Sequence, residues 1–445
     1  MKRVILYFLV GVFLISADLS PSENRLATKL DLHWTAEIGL TTHRTKVAFL
    51  NGKLYIGSNG KHLRDYAIDS GNGVHVLNQK TGKKIRSFAN ESFGDMDVNG
   101  ILKIKQNLIF GNDNDEVICV DSKGKQLWRV PTSGDVEHKP AHVRSKGQDL
   151  AVFATETGEI RALNAQTGAS VWSYYHPSFR GWKQGDNRFV FKVKMHFTAE
   201  SFFFNEPALA DLNLDGVNDL IYNCRWGNLM AFSGKTGKLL WNLDKKKFKG
   251  FRSTMGRERP VVTGKGNTLR IYALYSSTNG GMTVLFDRKG KVKKKVLNSK
   301  YLGSPLLSQV PNHIITNRKI IKLGITDYKT KVISPDWTYK GESNTDYARF
   351  REGQVAPQTF KFNNEECALI VFQYDMLSES RQAAMVIIGL NTGTMHMRTP
   401  LPSFSEFTPV VKDINKDGNL DVLVGCDNKK LYCFDLKIPA KNLIK

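Results

Sequence analysis

Residues 211–221 read DLNLDGVNDLI and residues 413–423 read DINKDGNLDVL. In the first, Asp211, Asn213, Asp215 and Asp219 fall at positions one, three, five and nine; in the second, Asp413, Asn415, Asp417 and Asp421 do. Position seven offers a main-chain carbonyl, from Val217 or Asn419, and Gly216 or Gly418 permits the sharp turn. Oxygen ligands at this spacing suit a hard cation, so each loop is expected to hold one Ca2+. Position twelve, where a helical calcium loop places a bidentate Glu, is Tyr222 or Val424, and each loop runs into an apolar stretch, DLIYNC or DVLVGC. The loops therefore lead into strands, and the cation's expected role is structural, offsetting repulsion among packed carboxylates. The alternative is an acidic turn satisfied by its own backbone amides.

Other reactive types gather in long polar insertions. His62, Arg64, Asp65 and Tyr66 lie in SNGKHLRDYAIDSGNG, and His176 opens the aromatic-rich stretch 176–205. A base beside cationic groups is what proton abstraction next to a carboxylate needs, so these five are candidates for an enzyme of the polysaccharide-lyase type. Trp182, with Lys246, Lys247, Arg252 and Arg257 in the next insertion, would suit an acidic sugar chain, aromatic planes stacking on rings and cations meeting carboxylates. A protein partner would fit the same surface. No GxSxG, HExxH or GxGxxG is present. SGKTG at 233 lacks the glycine of a phosphate-binding loop, since that place is Leu229, and it reads as a hairpin turn. A non-catalytic binding scaffold is the leading expectation.

The elements that carry these loops repeat. VICVDSKGKQLWRV at 117, IRALNAQTGASVWSY at 160 and LMAFSGKTGKLLWNL at 229 are each a strand, a Gly turn and a second strand carrying Trp. Upstream of such hairpins a proline opens another strand: KPAHV, EPALA, RPVVT, SPLLS, APQTF and TPVVK, at intervals of 45 to 67 residues. The unit has four strands, A to D, at the period of a propeller blade. Eight inner segments begin near 44, 97, 139, 206, 259, 303, 355 and 407, and the last lacks a D strand. The lone segment LDLHWTAEIGL at 30–40 should supply it, closing the ring and removing an open edge. The expected fold is an all-β, eight-bladed propeller over 30–437, with seven blades as the alternative because 303–340 is poorly patterned.

The hairpins ALNAQTGASVW and AFSGKTGKLLW resemble the repeats of the pyrroloquinoline-quinone (PQQ) enzyme-like propellers, and the acidic loops resemble the calcium-holding loops of integrin-type FG-GAP propellers. The first superfamily includes quinoprotein alcohol dehydrogenases and a non-catalytic scaffold of outer-membrane β-barrel assembly. The resemblance implies the fold and leaves function open. Quinoprotein enzymes place a disulfide between adjacent cysteines against the quinone; this chain has no adjacent pair, so PQQ is not expected.

Composition sets the compartment and the charge. With 445 residues, 41% of them hydrophobic, the chain can bury a large core. Lys2-Arg3, then VILYFLVGVFLISA, then DLSPSEN has the layout of a secretory signal, with cleavage expected after Ala17, a linker over 18–29 and a tail over 438–445. The apolar run is shorter than the roughly 20 residues of a membrane helix, so no stable span is expected after cleavage, and the protein is expected to be periplasmic or secreted. Five scattered cysteines suggest buried thiols rather than a disulfide framework. A net charge of +22 points to an anionic partner. Export argues against nucleic acid, which leaves an anionic polysaccharide, anionic lipid head groups or an acidic protein.

Overall fold

The computed structural model of the protein describes residues 30–61, 71–88, 96–177, 203, 205–224, 228–243, 259–277, 280–297, 308–310, 313–315, 320–323, 330–334, 357–374 and 382–444. Its strands form eight four-stranded antiparallel sheets. In chain order the first seven run from Ala48–Leu50 to Lys84–Phe88, Ile101–Ile104 to Gln126–Pro131, Ala141–Ser145 to Ser170–Tyr175, Ala208–Ala210 to Leu239–Leu243, Val261–Thr263 to Val292–Leu297, Ser308–Val310 to Thr330–Ser334 and Thr359–Phe362 to Met395–Pro400. The poorly patterned stretch 303–340 thus contributes a sheet of its own. The eighth blade takes strands A to C from Val410–Lys412, Asn419–Gly425 and Lys430–Pro439, and its D strand is Asp31–Glu37. That strand pairs Trp34 with Cys433 and Glu37 with Lys430, so the N-terminal segment does close the last blade.

Burial explains why the strands read as they do. B strands such as Gln148–Ala154 end in a continuous run of five apolar, buried residues, because a neighbouring blade covers each face. The outer D strands, such as Ser170–Tyr175, bury little beyond their Trp. Each described hydrophobic cluster joins two consecutive blades: Val152, Ile160 and Trp172 of the third blade pack with Leu220, Tyr222 and Phe232 of the fourth. Trp34, Leu423 and Cys433 of the eighth pack with Leu54, Ile56 and Leu77 of the first, which makes the row of sheets a ring.

The Gly-turn and Trp repeat has its cause in this stacking. At Gly237, φ is +72°, and a Cβ would come 2.4 Å from Cε3 of Trp172 in the preceding blade. Gly82, Gly168 and Gly290 seat Trp34, Trp128 and Trp241 in the same way. The indole N–H of Trp128, Trp172 and Trp241 donates to the carbonyl of Ala165, Gly234 and Arg288 at 3.1–3.2 Å. Glycine is therefore required twice, for the left-handed turn and for the ring that lies against it. All five cysteines are free and buried, as their apolar neighbours suggested.

Candidate functional site

The two acidic loops connect strands A and B of the fourth and eighth blades, beside the C-to-D turns, with Gly234 N donating to Asp219 Oδ1 at 3.1 Å. Both have the same wound conformation: φ is +64° at Leu214 and +83° at Gly216, +68° at Lys416 and +93° at Gly418. Each Asp turns at least one oxygen onto the loop's own amides. Asp211 accepts from Asp215 and Gly216, Asp215 from Val217, and Asp219 from Leu212 and Asn213. In the second loop Asp413 accepts from Lys416, Asp417 from Asn419, and Asp421 from Ile414 and Asn415. The fold brings each predicted set together, with the backbone already engaging it. Burial, together with Asp215 nearby, pushes the Asp219 carboxyl up to about 6, although the backbone amides oppose the shift. A bound cation would reverse that cost. In the second loop, in addition, His33 Nε2 from the closing strand lies 3.0 Å from Asp421 Oδ1.

His62, Arg64, Asp65, Tyr66, Trp182, Lys246, Lys247, Arg252 and Arg257 lie outside the described residues. His176 is described; it follows the D strand of the third blade, half-buried, and its N–H donates to the Gly158 carbonyl at 3.0 Å.

A cavity opens where the A strands begin. It measures about 280 Å³ and is lined by His43, Arg44 and Lys46 of the first blade, His138 and Lys139 of the third, Asn205 and Glu206 of the fourth, Arg259 of the fifth, Pro357 and Gln358 of the seventh, and Thr408, Pro409 and Val410 of the eighth. Residues that far apart in the chain meet because blades around the ring all point their first strand at the propeller axis. Lys139, Glu206, Arg259 and Thr408 each stand immediately before the blade-opening proline. A residue before proline is held extended, which fixes these four at the mouth of the axis. The Pro signature carried the signal; the residue preceding each Pro was the part to read.

The electrostatics of the cavity centre on Glu206. Its carboxylate meets Arg259 at 2.6 Å and Lys139 at 3.0 Å. Burial disfavours its charge, but Arg259, Lys139 and Lys46 prevail and hold it down to about 2. Lys46 is the counterpart. Burial brings its ammonium down to about 8, with Glu206 only partly restoring it. Its hydrogen bond is to the His43 carbonyl at 3.2 Å. Arg44 is half-buried, yet Glu137 keeps it charged through an ion pair, and Glu137 in turn accepts from Asn99 at 3.1 Å. His138 is 2% exposed; its Nδ1 faces the Lys139 carbonyl at 2.9 Å and its Nε2 has no hydrogen-bond partner among the described residues. Burial lowers its basicity.

Comparison with known proteins places this architecture. The family described as outer membrane protein assembly factor BamB matches residues 70–310. The protein of that name from Shewanella oneidensis is 22% identical over 247 residues, 47% of this chain and 60% of the relative's own length, so less than two thirds of that relative is matched. Among solved structures, Saccharomyces cerevisiae Sqt1 superposes with a TM-score of 0.52 at 9% identity, over 92% of this chain and 97% of its own. Quinohemoprotein alcohol dehydrogenase from Comamonas testosteroni gives 0.51 at 13% identity, over 93% and 77%. Both likenesses are of fold alone.

Proposed function

Because the chain belongs to the outer membrane protein assembly factor BamB family, we propose that it is an extracytoplasmic, non-catalytic scaffold that helps assemble outer-membrane proteins by binding a protein partner. The family match carries this reading. A closed ring of stacked sheets supports it physically, since such a body presents loops on a frame that does not rearrange when they engage. The described strands that the long insertions join, D to A or B to C, end on the rim where the axial cavity opens, so those insertions are the natural partner-binding segments. No helix among the described residues is long and apolar enough to cross a membrane.

The test is loss of the gene product. Outer-membrane β-barrel proteins should fall in abundance while inner-membrane proteins do not. A variant with the 178–202 insertion replaced by a short linker should be produced at normal levels and fail to restore them. Unchanged β-barrel levels in the deletion strain would refute the proposal.

The two acidic loops are read as structural calcium sites. Asp211, Asn213, Asp215, Asp219 and the Val217 carbonyl would hold one ion, and Asp413, Asn415, Asp417, Asp421 and the Asn419 carbonyl the other. What supports this is the recurrence of one wound turn with its oxygens on the same side chains at two points of the ring.

A further inference from the structure

The axial cavity holds more positive charge than it neutralises. Arg44 is taken up by Glu137, which leaves Lys46, Lys139 and Arg259 around the single carboxylate of Glu206. Among these lining residues three cations face one anion, an excess of two positive charges, while Arg44 beside them is met by Glu137, Asp113 and Asp97. The half-buried Lys46 ammonium has the His43 carbonyl as its one hydrogen-bond partner among the described residues. Positive charge partly withdrawn from water in that condition is costly, and structural packing gives no reason to keep it. Asn205 Nδ2, a donor, and His138 Nε2 in the lining are buried without a hydrogen-bond partner among the described residues. Because His138 Nδ1 faces a carbonyl, Nδ1 carries the proton in the neutral ring, and Nε2 offers a lone pair to a ligand hydroxyl or becomes a donor once protonated. A volume of about 280 Å³ is at the small end of ligand pockets.

We propose that this cavity is a binding site for a small divalent oxyanion, a dicarboxylate or phosphate, held by Lys46, Lys139 and Arg259 with Asn205 donating to it. This goes beyond the scaffold reading and does not depend on it, because the site is internal to the ring and needs no partner. Glu206 then acts as a built-in competitor that keeps the cations in place while the cavity is empty of ligand. Bound anion would span lining residues from blades one, three, four and five and tie them together at the axis.

The test uses the purified chain with succinate, inorganic phosphate and the neutral succinamide. Calorimetry and thermal melting are run at constant ionic strength in sodium chloride. At least one dianion should bind and raise the melting temperature, while succinamide does neither; whichever dianion binds more tightly identifies the ligand chemistry. Lys46→Met should weaken binding at least tenfold, and Arg259→Gln should weaken it as well. Glu206→Gln should tighten it several-fold by freeing Lys139 and Arg259. The Lys123→Gln, Lys125→Gln double variant, on exposed C-to-D turn residues of the opposite rim, should bind as the parent does. Should Lys46→Met fail to fold, Arg259→Gln and protection of the Lys46 amine from acylation by the anion report on the same site. Equal binding by all variants would show general attraction to a basic protein, and absence of any dianion-specific binding would show an empty structural cavity. Either result overturns the proposal.

Discussion

Glu206→Gln is the sharpest perturbation of the axis. The substitution preserves shape and removes the negative charge that faces Lys46, Lys139 and Arg259. A carboxyl held at about 2 instead of its ordinary 4.5 contributes roughly 3 kcal/mol to stability at neutral pH. Breaking a buried ion pair by removing one partner is expected to cost about 3–5 kcal/mol, which agrees. The Glu206 side chain is only 11% exposed, so solvent screening does little to reduce the figure. Unfolding entropy of about 2.1 cal/mol/K per residue over a body of this size converts it to a melting-temperature drop of roughly 3–4 °C. The sign with pH follows from the depressed folded value: the stabilisation is complete above 4.5 and is lost as pH falls towards 2. Denaturant unfolding of both proteins at several pH values is the assay. The parent should exceed the variant by about 3 kcal/mol at pH 7, and the gap should shrink by about half at pH 3. A gap below about 1 kcal/mol at neutral pH, or one that does not change with pH, would refute the reasoning.

Gly237→Ala should lower stability by about 1–3 kcal/mol, because the new Cβ meets the Trp172 ring and the left-handed turn disfavours any side chain; thermal melting checks it, and an unchanged midpoint would contradict the seating argument. Deleting Asp31–Glu37 should expose the Lys430–Pro439 edge, so light scattering should report association together with a lower melting temperature. Calcium at about millimolar concentration should raise the melting temperature and chelator should lower it, with Asp215→Ala and Asp417→Ala each removing part of the effect. The thiols of Cys119, Cys367 and Cys426 are pushed up to about 12, chiefly by burial, so a thiol-specific chromogenic reagent should react with them only after denaturation.

Sequence alone determined whatever is local or periodic in this protein. The blade unit was legible because a strand buried on both faces must be continuously apolar, and because a hairpin turn demands glycine at a left-handed position, as at Gly168 and Gly237. The missing D strand of the last blade and the stray Trp34 segment at the other end of the chain together implied closure, since an open edge is a liability. The acidic loops were visible for the same reason: their residues are adjacent in the chain and their geometry is that of a single turn. Only the tertiary structure decided why each turn glycine cannot be replaced, for the ring that fills its missing Cβ comes from the preceding blade. It alone assembled the axial cavity. Lys139, Glu206 and Arg259 share the place before the blade-opening proline in three repeats and Lys46 lies in a fourth, but nothing in the chain says that these places meet. Ring closure sets them side by side, and burial then lowers the basicity of Lys46 and lets its neighbours hold Glu206 ionised. Charge that would be solvated in any single repeat becomes a confined, unbalanced cluster only when the blades share an axis.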